Sequence, residues 1–375
     1  MKKIIRLSKS CLGELEKKAV IKVLDGEFLG MGSEVKKFEN LLSEYFGRPA
    51  VCVSSGTAAL HLALQAVGIG RGDEVLVQSL TYVASFQAIT ATGATPIACD
   101  INPDNLCIDW KDAEAKLTKN TKAIMPVHYS GGVGNLDEIY AFARRYELRV
   151  IEDAAHAFGT KYKDMRIGGI GDIACFSFDG IKNITSGEGG CIVTNDKDVI
   201  KKISDARLLG VENDSEKRAS GDRSWDFDVN LQGWRYHMSD IMAAIGVSQL
   251  KRFSELASKR KKIAKIYSSL LAKNQYIFPF LHNYDNVVPH IYVVRVKGLQ
   301  NRNELQKRML EKQIQIGYHY KPNHFLSIYK NKSLSLPVTE AIFPELVSLP
   351  LHPDISKEDV KHIVSSLDDI LSVFL

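Results

Sequence analysis

Three short stretches place reactive side chains beside glycine and small hydroxyl residues. "FSFDGIKNITSGEGG" (176–190) carries Lys182 in a turn after an apolar run, with three glycines in the last four positions. Taken alone such a lysine reads as an ordinary surface cation, but at a strand end partial burial or a neighbouring positive charge lowers its pKa from about 10.4 and frees the amine to form an imine with a carbonyl. "VIEDAAHA" (150–157) sets Asp153 just past another apolar run, with His156 close behind. A carboxylate in that position needs a protonated partner, such as a ring nitrogen, or a helix to cap. "SSGTAAL" (54–60) passes from a strand-like run into a helical one. Its hydroxyls and first-turn amides serve as a plain helix cap or as a cradle for an anion such as phosphate.

A scaffold must bring these stretches together. "AVCVSS" (50–55), "EVLVQS" (74–79), "TPIACD" (95–100), "KAIMPVH" (122–128), "LRVIED" (148–153), "DIACFSF" (172–178) and "GCIVTN" (190–195) read as near-continuous apolar strands. Strands apolar on both faces belong in a sheet covered on both sides, so the spacing predicts a three-layer α/β fold with a mostly parallel sheet. "TAALHLALQAVG" (57–68) and "NLDEIYAFARRYEL" (135–148) supply covering helices. Ligands of such sheets collect at the carboxyl ends of the strands, which is where 54–57, 152–156 and 177–182 fall. After residue 250 the texture changes to a charged helix (251–273), the strand "HIYVVRV" (290–296), a helix near 303–313 and a final helix capped at Ser356. The expected organisation is a large domain over 1–250, including an N-terminal arm, and a smaller α/β domain over 251–375. An anion cradle, a buried carboxylate and a lysine amine at three strand ends form the set that pyridoxal 5'-phosphate requires.

Longer motifs in a fixed order carry a resemblance. "LGMGSEVKKFENLLSEYFG" (29–47), "SSGTAALHLAL", "GDEVLVQSLTYVAS", "VIEDAAHAFG", "FSFDGIKNITSGEGG" and "GWRYHMSDIMAAIGVSQL" (233–250) together resemble the nucleotide-sugar aminotransferases of the DegT/DnrJ type over nearly the whole chain. The resemblance implies the aspartate-aminotransferase-like fold (pyridoxal phosphate fold type I) and an amino transfer from an amino acid, glutamate, to a nucleotide-linked keto-sugar. It implies amino-sugar and surface-polysaccharide biosynthesis as the setting, in a homodimer with composite active sites. By position, Lys182 matches the lysine that bonds to the cofactor aldehyde and Asp153 the partner of the pyridine nitrogen. Tyr82 matches the aromatic on the cofactor ring, Gly56, Thr57 and Ser177 match phosphate-binding positions, and His156 matches a Gln or His beside the ring oxygen. "HYKPNH" resembles a substrate-side segment, which brings in His319 and His324. One departure stands out. Arg235 occupies the place where an asparagine usually reaches the neighbouring subunit's cofactor phosphate; a guanidinium there suits a phosphate or a substrate diphosphate, or an exposed surface.

Composition narrows the alternatives. The 49 basic and 44 acidic residues leave a formal charge of +5 spread along the chain, unlike a nucleic-acid binder. The densest basic stretch, "SKRKKIAKIY" (258–267), reads as a solvated helix face. Six cysteines form no CxxC pair and read as reduced core residues of a cytoplasmic protein, with no metal site expected. The N-terminal apolar stretch is too short for a signal peptide, and no run reaches the roughly 18–20 residues that span a bilayer. No GxGxxG follows the first strands, against a nicotinamide dehydrogenase. Lys182 argues against a dehydratase of the same family, which carries histidine there. A keto-cyclitol acceptor and a non-catalytic regulatory protein on the same fold are the alternatives that stay open.

Overall fold

A computed structural model describes residues 4–211, 227–331 and 333–374. All seven strands read from the sequence are present: β1 (Ala50–Val53), β2 (Glu74–Gln78), β3 (Thr95–Cys99), β4 (Thr121–Met125), β5 (Arg149–Asp153), then, after the small hairpin β6 (Lys161–Tyr162) and β7 (Met165–Arg166), β8 (Ile173–Ser177) and β9 (Gly190–Thr194). They form one sheet in the order β1-β9-β8-β5-β4-β2-β3. From β3 across to β8 the neighbours are parallel, while β9 runs antiparallel to both β8 and β1.

The near-continuous apolar character of these strands has a direct structural cause. Side chains alternate between faces, and both faces meet a core. Cys52, Leu76, Ile124, Val150 and Ala174 join Phe38, Leu42 and Phe142 from the helices Ser33–Phe46 and Leu136–Arg145. Val53, Val75, Ala123, Ile151 and Ile173 point the other way, onto the helices Gly56–Ala66 and Val83–Ala91. Neither face is left for water.

Beyond the helix Asp240–Lys251, the helix Phe253–Leu271 starts in the first of these cores with Phe253 and Ala257 and ends in another with Ile263, Tyr267 and Leu271. That other core lies under an antiparallel sheet of β10 (Ile277–Pro279), β11 (Tyr292–Val296) and β12 (Leu346–Leu349), covered also by the helix Lys357–Phe374. The Ser356 cap is present: Ser356 Oγ accepts from the Asp359 amide at 3.0 Å, and Asp359 accepts from the Ser356 amide at 2.9 Å. The N-terminal arm reaches this side of the molecule, where Ile5 pairs with Ile314 and the Leu7 carbonyl accepts from Leu351.

The basic stretch at 258–267 differs from its expectation at one residue. Lys259, Lys262 and Lys265 are exposed, but Arg260 is buried with 2% exposure. Its position on the inward face of the helix overrides its polarity, because backbone carbonyls accept from both of its terminal nitrogens.

Asp240, also buried, joins distant pieces of the large sheet's cover. Its Oδ1 accepts from the amides of Gly32 at 2.9 Å and Val35 at 3.0 Å, capping the helix Ser33–Phe46 from 205 residues away. Asp240→Ala leaves the buried Val35 amide and the half-buried Gly32 amide without a partner and should lower stability by about 1–3 kcal/mol in urea unfolding. Asp240→Asn, which keeps an acceptor oxygen, should lose less; an Asp240→Ala variant as stable as the wild type would mean that the cap contributes nothing.

Candidate functional site

The carboxyl ends of β1, β2, β4, β5 and β8 open into a cleft of about 460 Å³. It is lined by Ser55, Gly56 and Thr57 after β1, Thr81 and Tyr82 after β2, Asp153 and His156 after β5, and Ser177, Asp179 and Lys182 after β8. His319 and Tyr320 reach it from the C-terminal part of the chain. A larger groove, about 1050 Å³, lies between Tyr45, Phe253 and the lysines of the Phe253–Leu271 helix. It holds neither Asp153 nor Lys182, so size alone does not locate the chemistry.

At one end, Ser55 caps the helix Gly56–Ala66, its Oγ accepting from the Ala58 amide at 3.0 Å. The amides of Gly56 and Thr57 lie in the first turn, where a helix has no carbonyl to offer them. Gly56 is required by close approach: a Cβ there would sit 2.7 Å from Ser177 Cβ. Bare backbone and the Ser177 hydroxyl therefore meet at a helix N-terminus, which favours an anion.

Asp153 is 5% exposed. Ser85 Oγ donates to its Oδ2 at 2.7 Å and the Ala155 amide to its Oδ1 at 3.2 Å. These bonds hold a carboxylate on the cleft wall in one orientation. Tyr82 is 58% exposed, with its ring 5.3 Å from that of Tyr320, so one aromatic face stands free at the mouth.

Lys182 follows a turn in which its amide donates to the Asp179 carbonyl at 3.1 Å. Burial pushes its amine down to about 8, against the pull of Asp153 and Asp179 and with a smaller push from Arg260. Arg260 clamps the same loop. Its guanidinium donates to the carbonyls of Ile181 at 3.3 Å and Lys182 at 3.5 Å, and to that of His290 at 3.0 Å, tying the loop to the C-terminal part. His156, buried, is held well below the usual histidine range by burial, Lys182 and His319. His319 falls to about 4 for the first two of those reasons, and its Nδ1 lies 2.7 Å from Ser348 Oγ.

Eight of the ten residues singled out in the sequence thus meet at one cleft: Gly56, Thr57, Tyr82, Asp153, His156, Ser177, Lys182 and His319. His324 does not line it. Its ring is buried with Nδ1 2.7 Å from Ser79 Oγ and Nε2 3.5 Å from Glu340, a packing position that removes it from the substrate-side candidates. Arg235 is exposed and also outside the cleft of its own chain. Trp234 bonds Gln65 through Nε1 at 2.7 Å, and both Trp234 and Tyr236 pack against His61, so the residue between them faces away. Sequence reasoning missed Tyr320, Ser85 and Arg260, while the cap read into "SSGTAAL" is Ser55. Tyr320 sat inside the quoted "HYKPNH" between two histidines that drew the weight, and Arg260 sat inside a run read by charge alone.

Comparison with known proteins gives the family. Residues 10–368 match the model of the DegT/DnrJ/EryC1/StrS aminotransferase family, and the chain belongs to that family. It is a pyridoxal phosphate-dependent aminotransferase. The uncharacterized protein MJ1066 of Methanocaldococcus jannaschii is 36% identical over 371 residues, 96% of each chain. Spr1654 from Streptococcus pneumoniae, solved in a PMP form, superposes with a TM-score of 0.92 at 32% identity, covering 99% of this chain and 100% of that one. Helicobacter pylori PseC, an aminotransferase involved in the biosynthesis of pseudoaminic acid, superposes with a TM-score of 0.91 at 27% identity, covering 98% and 99%.

The depressed amine has a kinetic signature. Capture of pyridoxal phosphate by the apoenzyme should rise about tenfold per pH unit below pH about 8, as the neutral amine grows, and level off above it. A profile that kept climbing to pH about 10 would describe a solvated lysine instead.

Proposed function

We propose that the enzyme moves an amino group from glutamate to the keto group of a nucleotide-linked sugar, in amino-sugar and surface-polysaccharide biosynthesis. The observation that carries the reading is the convergence on one cleft of the Lys182 amine, the oriented Asp153 carboxylate and the helix N-terminus at Gly56, in a chain of this family. The involvement of PseC in the biosynthesis of pseudoaminic acid supports a sugar as acceptor.

The cleft fits pyridoxal phosphate on its own chemistry, since an anion cradle, a carboxylate and an amine share its lining. When bound, the cofactor supplies an aldehyde that exchanges amines and a protonated ring that draws electrons from the adjoining carbon. Gly56, Thr57 and Ser177 would hold its phosphate, and Tyr82 would cover its ring. Asp153 would keep the ring nitrogen protonated, and His156 would stand by the ring oxygen. The Lys182 amine would serve as the base that takes the donor's α-proton and as the acid that gives it back. An amine near pH 8 suits both tasks better than an unshifted lysine. Arg235, facing away from its own cleft, serves the phosphate or the sugar diphosphate of a second subunit in a homodimer.

Enzyme loaded with pyridoxamine phosphate should regain the aldehyde absorbance with at least one member of a panel of UDP- and dTDP-linked keto-sugars. Return with 2-oxoglutarate but with none of the panel would remove the sugar acceptor. Lys182→Ala and Asp153→Asn should each slow turnover on the order of 10²- to 10⁴-fold while the fold persists; an unchanged rate would take that residue out of the mechanism.

A further inference from the structure

Ser130 stands at φ 63° and ψ 2°, in the left-handed region that a serine seldom occupies. Its Oγ donates to the Ile291 carbonyl at 2.8 Å, and its carbonyl accepts from the His290 amide at 3.1 Å. Held this way, its own amide donates to His156 Nδ1 at 3.3 Å. Burial and the nearby Lys182 keep the His156 ring neutral, and a neutral imidazole has one donor nitrogen and one acceptor. A backbone N–H can only donate, so Nδ1 is the acceptor and the ring proton lies on Nε2.

Nε2 is 3.0 Å from Tyr320 Oη. The phenol oxygen therefore accepts from His156, and its own proton must turn to the other side of the C–O bond. Tyr320 lines the cleft alongside Tyr82, Asp153 and Lys182, so that other side is open to a bound reactant. Burial, then Asp153, Tyr82 and Asp179, keep the phenol protonated.

We infer that Tyr320 is a further catalytic residue, donating a hydrogen bond to the carbonyl oxygen of the bound keto acceptor, and that Ser130 positions this proton by fixing the His156 tautomer. The inference rests on the amino-transfer reading. In the condensation the acceptor's C=O bond breaks, a C–N bond forms, and the oxygen leaves as water with two hydrogens from the incoming amine. Tyr320 shares its proton with the departing oxygen and keeps it, so no further reactant is needed. A donor already aimed at developing negative charge contributes without reorganising.

Two measurements test this. The ¹⁵N spectrum of histidine-labelled enzyme, with His156 assigned by its loss in His156→Gln, should show a pyridine-type Nδ1 and a pyrrole-type Nε2 at neutral pH. A proton on Nδ1, or a charged ring, would overturn the chain of donors. In single turnovers of pyridoxamine phosphate-loaded enzyme with 2-oxoglutarate or pyruvate, Tyr320→Phe should slow return of the aldehyde absorbance on the order of 10²-fold, with cofactor affinity and thermal midpoint unchanged. If Tyr320→Phe reacts as fast as a normal wild type, the inference fails and the amino-transfer reading survives. If the wild type reacts with neither keto acid, that reading fails and takes the role of Tyr320 with it.

Discussion

Placing a lysine amine inside a protein is the constraint on which this structure turns. Water stabilises an ammonium strongly, and burial withdraws that help. The Lys182 amine consequently sits near a pKa of about 8 although two carboxylates, Asp153 and Asp179, pull the other way. Such a position has to be enforced by its surroundings. The loop that carries it hangs from β8 at one end and is gripped by the buried Arg260 guanidinium through the carbonyls of Ile181 and Lys182. A fixed cation that binds only main-chain oxygens positions the loop and adds a further small push against a charged lysine.

The same desolvation acts on the histidines around it. His156, His290 and His319 are all lowered by burial, and Lys182 contributes to each. His156 and His290 pack with ring centroids 4.4 Å apart, which two charged rings would resist. A wall of neutral imidazoles offers directed donors and acceptors without competing with the amine for protons. This lets a turn as distant from the chemistry as Ser130 decide where a phenol proton points.

Much of this was legible in the sequence, for physical reasons that differ from residue to residue. The seven strands could be read because both faces of the sheet are buried, leaving short, near-continuous apolar runs such as 123–125 and 173–176. The cleft could be read because parallel strands collect their loops at one end, so Asp153, Ser177 and Lys182 were bound to converge. The direction of β9 was not legible: the apolar run 190–194 looks the same in either orientation. Arg260 was hidden because charge in a helical run says nothing about which face it occupies, and only the helix phase buries it. His324 was overread for the reverse reason, since a histidine near a motif reads alike whether it faces substrate or packs on Ser79. Arg235 turned outward because the aromatic residues on either side of it claim the protein surface.

The central claim is that one particular amine holds the cofactor. Reducing the cofactor-loaded enzyme with borohydride, digesting it and mapping the modified peptide by mass spectrometry tests that claim most directly. The account predicts a stable pyridoxyl group on the peptide that contains Lys182; an active enzyme whose reduced form carries the group on a different lysine, or carries none, would contradict it.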